Sequence, residues 1–231
     1  MNARAQHRAV VVDKTMLDEH LVRLTLRPSP GLETTGVLDE WVGLVVPGQY
    51  QSRYYTIRSL QDTLVIDVVI HEEGLVTSWA SGPCQGDEVG LTDPKGSFAP
   101  APETRWVVLA GDLTALPAMA RIAEECELEV KIHAEAPKPI EGYFPDYADV
   151  TWHQCAPGES DLAQIVAGVE WQPSPGYFWM AGESAQMREL RRFARHTMGW
   201  SSAEYDVMGY WSEARGTARR SPGRHGRGPN D

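Results

Sequence analysis

The sequence predicts a β domain followed by an α/β domain: an N-terminal antiparallel β-barrel, then a parallel sheet with crossover helices. Three observations predict it. Short alternating runs crowd the first hundred residues. Apolar strands alternate with helical patterns beyond residue 103. Pro100-Ala101-Pro102 stands between the two regimes. With 231 residues, 42% of them hydrophobic, the chain is long enough to fill two modest cores.

Polar–apolar alternation marks strands at residues 7–13 and 21–26, and further runs follow at 41–46, 54–58, 64–71 and 88–91. Gly, Pro, Asp and Ser clusters separate them, the spacing of a small barrel. A short helix is expected over 75–81. The second half opens on an apolar strand at 105–110. Leu116, Met119, Ile122, Ala123 and Cys126 then recur at helical spacing. Strands at 128–134 and 150–154, a helix at 162–169, a buried strand at 177–181, a helix at 185–196 and a last strand at 205–209 complete the pattern. The expected division is 1–100 for the barrel, 103–212 for the α/β domain and 213–231 for a basic, disordered tail rich in Gly, Arg and Pro.

A net charge of −11 disfavours nucleic acid and anionic membrane as partners. No apolar run is long enough to span a bilayer, and the N-terminus has no leader pattern, so a cytoplasmic protein without integral membrane association is expected. Cys84, Cys126 and Cys155 are widely spaced and odd in number, which argues against an iron–sulfur cluster, a structural zinc and a disulfide framework. No metal held by protein ligands is expected. Redox chemistry would have to come from a bound organic cofactor.

Arg53-Tyr54-Tyr55-Thr56-Ile57-Arg58 offers such a cofactor a seat. A cation, an aromatic and a hydroxyl, read as alternate positions of an extended segment, point to one face. Arg53 can pair with a phosphate through its planar fork, Tyr55 can lie against a flat heterocycle, and Thr56 can hydrogen-bond a ring nitrogen. One strand later, His71 precedes Gly74, and a helix starts with Thr77 and Ser78 in its first turn, an arrangement suited to a pyrophosphate. Gly111-Asp112-Leu113-Thr114-Ala115 and Gly182-Glu183-Ser184 each join a strand to a helix, where α/β sheets place nucleotide phosphates. Tyr210 and Trp211 put two aromatics after the last strand, where they are either core or a border of the cofactor site.

As an ordered set these segments resemble the siderophore-interacting protein family of FAD-dependent ferric-siderophore reductases, within the ferredoxin–NADP reductase superfamily. The match runs from Arg53-x-Tyr55-Thr56-x-Arg58 through His71…Gly74…Trp79-Ala80, Pro94-Lys95-Gly96-Ser97-Phe98 and Ala110-Gly111-Asp112-x-Thr114-Ala115-Leu116-Pro117 to Ala181-Gly182-Glu183 and Gly209-Tyr210-Trp211. The resemblance implies an FAD-binding barrel, an NAD(P)H-binding α/β domain and a ferric siderophore as substrate. It makes Tyr55 and Thr56 the residues at the reacting ring. Arg53, His71, Gly74, Thr77, Ser78, Gly111, Asp112, Thr114, Ala115, Gly182, Glu183 and Trp211 become cofactor contacts. Ferredoxin stands open beside NADH and NADPH as donor. The chain departs from the family pattern at Leu113, where Glu is common, and at Gly43 and Ser212, where basic residues are common. Arg58, Lys95 or Arg215 would then have to supply the cationic contact to an anionic substrate. A flavin reductase or electron-transfer flavoprotein with another acceptor, and a siderophore-binding module without redox activity, are the alternative readings.

Overall fold

The computed structural model describes residues 5–70, 74–156, 159–173 and 175–212; the expected disordered tail and His71 lie outside them. Seven strands build the N-terminal sheet: β1 (His7–Asp18), β2 (Leu21–Pro28), β3 (Trp41–Val45), β4 (Arg53–Thr56), β5 (Ser59–Leu60), β6 (Leu64–Val69) and β7 (Glu88–Leu91). Their order is β4-β3-β7-β1-β2-β6-β5, with every pairing antiparallel. One residue in two faces inward along β2 and β6, where Val22, Leu24, Leu26, Leu64, Ile66 and Val68 are fully buried. The helix α1 (Leu75–Ser81) packs Val76 and Ala80 onto the same cluster.

The expected barrel is not closed by hydrogen bonds. β4 and β5 stand at opposite ends of the ladder order, although only Ile57 and Arg58 separate them in the chain. The Ile57 amide still donates to Glu40 O (2.8 Å) on the β3 side, and the Arg58 amide already donates to Val65 O (2.9 Å) on β6. Two residues therefore carry the backbone from one edge to the other. The sheet curls until its edges meet, but no edge-to-edge ladder forms.

The C-terminal sheet is wholly parallel, in the order β10-β9-β8-β11-β12: β8 (Trp106–Gly111), β9 (Glu129–Ala136), β10 (Asp149–Gln154), β11 (Gly176–Glu183) and β12 (Tyr205–Trp211). β8 is buried at every position, as a central strand covered on both faces must be. α2 (Leu116–Glu125) covers one face. α3 (Leu162–Ala167) and α4 (Ser184–Arg192), which runs on into a π-helical turn at Phe193–Thr197, cover the other. No helix joins β9 to β10. Pro137, Pro139 and Pro145 remove amide donors there, and Ile140 and Tyr143 pack as a loop instead.

Buried polar residues join the halves. Asp39, fully buried, accepts from the Ser97 and Phe98 amides (2.8 and 2.9 Å) and from Trp179 Nε1 on β11 (3.0 Å). Glu40 beside it accepts from Thr34, Thr35 and Arg121 of α2 (Arg121 Nη1 at 2.9 Å). Asp67 takes a two-pronged contact from Arg23 (both 2.8 Å) and a hydroxyl bond from Tyr143 (2.7 Å). Burial alone would raise the Glu40 carboxyl, but the bonds from Thr34, Thr35 and Arg121 outweigh it and hold it below its ordinary 4.5. A lowered carboxyl stabilises the fold above its unfolded value, and that stability is lost as pH falls through the folded one. Stability should therefore drop below pH 4.5. In Glu40→Gln, weaker at neutral pH, urea midpoints should follow pH less steeply in that acid range.

Candidate functional site

Arg53 and Tyr55 lie on edge strand β4, opposite Leu44 and Val42 of β3. Residues two apart share a face. That face carries an exposed guanidinium next to a half-buried ring packed on the N-terminal core. None of the ion pairs among the described residues uses Arg53. Burial pushes the Tyr55 phenol up to about 12, with the Arg53 charge pulling the other way. The ring is thus neutral at physiological pH, and the cation is near enough to act on it.

Thr56 corrects the expectation of one shared face. The pleat turns it to the opposite side, level with Trp41, where it is only 5% exposed. Burial raises the phenol of Tyr210 on β12, Thr56 works against that rise, and the Tyr210 hydroxyl is buried without a hydrogen-bond partner among the described residues. The strand thus presents Arg53 and Tyr55 outward, and Thr56 toward the junction of the two halves.

Gly74 is the N-cap of α1, with φ +147°, a conformation that side-chain-bearing residues rarely adopt. No side chain caps this helix. Ser78 is exposed, whereas Thr77 is buried with its hydroxyl donating to Val69 O (3.3 Å). Val76, Trp79 and Tyr55 border one apolar cluster, so β4 and α1 flank the same part of the core.

The second group gathers at the carboxyl ends of β8 and β11, where the strand order reverses, the ligand crevice of open α/β sheets. Gly111 and Gly182 permit close approach: a Cβ on Gly111 would stand 3.0 Å from Ala181 O, and one on Gly182 2.7 Å from Asp112 Oδ2. Asp112, 7% exposed, accepts from the Thr114 amide (2.9 Å), the Thr114 hydroxyl and Trp211 Nε1 (2.6 Å). Burial raises its carboxyl, and those hydrogen bonds work against the rise. The Thr114 hydroxyl serves Asp112, and the N-cap of α2 is the buried Ala115. Glu183 caps α4 by accepting from the Ala185 and Gln186 amides. The crevice walls are thus fixed by their own side chains, leaving backbone and glycine surfaces toward the opening.

The cationic positions part company. Arg58 is paired with Glu124 of α2 (2.6 Å), and its side chain is 12% exposed. Lys95 is exposed on the segment whose backbone pairs with Trp41. Gly43 leaves no room for a larger residue, since a Cβ would meet Thr92 Cγ2 at 2.8 Å. Burial raises the thiols of Cys84 and Cys155, the latter to about 11, so both stay protonated and poorly nucleophilic. One metal-type trio converges among the described residues, Asp18, Glu19 and His20, and the Lys138 amine already contacts its two carboxylates at 3.2 and 3.1 Å. No described helix is long and apolar enough to cross a membrane.

The arrangement fits a flavin dinucleotide. A cation without an acidic partner among the described residues and a neutral ring share an open face of β4, and a glycine-capped helix start flanks the same core. Comparison with known proteins agrees. The sequence profile of the siderophore-interacting FAD-binding domain matches residues 14–98, and that of siderophore-interacting protein matches 104–214. An uncharacterized protein of Mycobacterium tuberculosis is 29% identical over 203 residues, covering 77% of this chain and 71% of that one. The ferric vibriobactin reductase ViuB of Vibrio cholerae is 25% identical over 191 residues, 78% of this chain and 69% of its own length. A siderophore utilization protein from T. fusca superposes with TM-score 0.78 at 26% identity, covering 94% and 95% of the two chains. With both halves matched in order, the chain belongs to the siderophore-interacting protein family.

Proposed function

We propose that the chain is an FAD-dependent oxidoreductase that takes reducing equivalents from NAD(P)H and passes them to a ferric siderophore, releasing Fe(II). The observation that carries this reading is the open face of β4, where exposed Arg53 and half-buried Tyr55 stand side by side within the FAD-binding domain. Arg53 would hold the pyrophosphate, with the amides after Gly74 beside it, and Tyr55 would pack on the ring system. Bound FAD supplies the redox chemistry, accepting a pair of electrons and releasing them singly. The glycine-walled crevice at Gly111 and Gly182 would seat the donor. Thr56 and Tyr210 would line the junction between the two sites. Iron is substrate: Fe(II) is held less tightly than Fe(III) by hard oxygen ligands, so reduction frees it.

A specific observation favours a weakly charged iron complex over a strongly anionic one. Arg58 is neutralised by Glu124, and Gly43 cannot be replaced without clash, which leaves Lys95 as the exposed cation of the set among the described residues; Arg215 lies outside them. Purified protein should be yellow, bleach anaerobically with NADH or NADPH, and recover its colour with a ferric hydroxamate faster than with a ferric triscatecholate. Colourless protein that takes up no FAD would refute the oxidoreductase. Faster recovery with quinone than with either iron complex would move the reading to a flavin reductase or electron-transfer flavoprotein. Yellow protein that neither dinucleotide bleaches would move it to a redox-inactive binding module.

A further inference from the structure

A groove of about 830 Å³ runs along one face of β9 and β10, bordered by α3. It is open because α3 spans six residues and packs on β8 and β11. His133 of β9 and His153 of β10 both line it, and both are half-buried. They are 20 positions apart in the chain, and the parallel ladder brings them together. His133 is in register with Thr151, and His153 with Glu135, so the two histidines are diagonal neighbours on one face of the sheet. Their rings stack, with centroids 5.4 Å apart and 27° between the planes. His133 Nδ1 stands 3.1 Å from His153 Nε2.

We infer that His133 and His153 form a two-histidine clip for a late first-row divalent cation of the nickel, copper or zinc class. Imidazole nitrogen is a preferred ligand of these ions. Two nitrogens 3.1 Å apart can both reach one cation at about 2.0–2.1 Å, with the two bonds roughly at a right angle. That is the angle between neighbouring ligands of a square-planar or octahedral ion. Burial lowers both histidines, and the neighbouring His153 adds to the effect on His133, so both rings are neutral and keep a lone pair at neutral pH. Each neutral imidazole carries one N–H. With the His133 proton on Nε2 and the His153 proton on Nδ1, both facing lone pairs turn to the ion, and no proton is lost. The charge of the groove suits a cation: among the described residues Glu135, Asp149, Asp161 and Glu170 line it against Lys131. The Asp149 charge reaches His133, and Lys131, in register with Asp149, opposes it. Among the described residues no third histidine, cysteine or carboxylate converges with the pair. Water in the groove therefore fills the remaining positions, and the ion is exchangeable. The expectation of no protein-held metal rested on cysteine spacing; a pair made by strand register leaves no such local signal.

The test is calorimetric titration of the full chain, as purified and stripped of metal by a chelator, with Ni²⁺ alone. Electron paramagnetic resonance of the same chain with Cu²⁺ reads the ligands. A saturable site is expected, with nitrogen coordination on the copper. His133→Ala and His153→Ala should each weaken Ni²⁺ binding by at least roughly tenfold, because each removes one arm of a chelate. The double variant should be little weaker than either. His20→Ala, in the acidic trio whose carboxylates contact Lys138, should leave the site unchanged. Thr151→His sets a third imidazole at an exposed position directly across from His133 and should tighten binding, a gain that misfolding of an alanine variant cannot imitate. An unaltered chain that binds no Ni²⁺ would overturn the inference. So would binding that neither alanine substitution weakens, or that is lost through His20 instead.

Discussion

Asp39→Ala should destabilise the protein by roughly 4 kcal/mol, because it strands several buried donors at once and each costs about 1–3 kcal/mol. The Ser97 and Phe98 amides and Trp179 Nε1 all end on this one carboxylate. Trp179 is fully buried in β11, so its indole N–H has no route to water. The loss would also fall on the junction of the halves, since Asp39 precedes β3 of the N-terminal sheet and Trp179 lies in the C-terminal one. Urea unfolding followed by tryptophan fluorescence should change from one transition to two. Asp39→Asn keeps the acceptor for the Ser97 and Phe98 amides but turns an amide N–H₂ toward Trp179, so its cost should be intermediate. An alanine variant within 1 kcal/mol of the unaltered chain, about the scale of one ordinary hydrogen bond, would show that the carboxylate does not hold the halves together.

The elements that alternation and helical spacing can announce are those the sequence announced. The helix over 75–81 coincides with α1, and the apolar run at 105–110 became the buried central strand β8. Two features escaped because they depend on partners far along the chain. Barrel closure rests on whether β4 and β5 pair across the seam, and local pattern carries no sign of it. The polar junction ties Asp39 to a residue 140 positions away, and Trp211 to Asp112 across 99; in the sequence, Asp39 and Glu40 are merely two acids before a strand. Between 134 and 150 the sequence shows no helical pattern, and with prolines at 137, 139 and 145 no crossover helix joins β9 to β10. One signal was present and unused: strand period places Thr56 on the face opposite Tyr55.

Arg53→Ala should weaken FAD binding by about 1.5–3 kcal/mol, the worth of one charge-assisted pair, or roughly 10- to 100-fold in affinity. The guanidinium is exposed and enters no ion pair among the described residues, so its removal leaves no buried partner stranded. Folding stability should therefore hold while cofactor affinity falls. That separation distinguishes a binding role from a structural one. Arg53→Lys keeps the charge but loses the planar fork, and should fall between the two. Tyr55 gives an internal check. Its phenol is raised to about 12 chiefly by burial, with the Arg53 charge opposing. In the alanine variant without cofactor the opposing cation is gone, so the Tyr55 titration should move higher still by ultraviolet absorbance. A titration that moves while FAD affinity stays fixed would place Arg53 beside Tyr55 and outside the cofactor site. Loss of both together is the result expected if one face of β4 holds the phosphate and the ring.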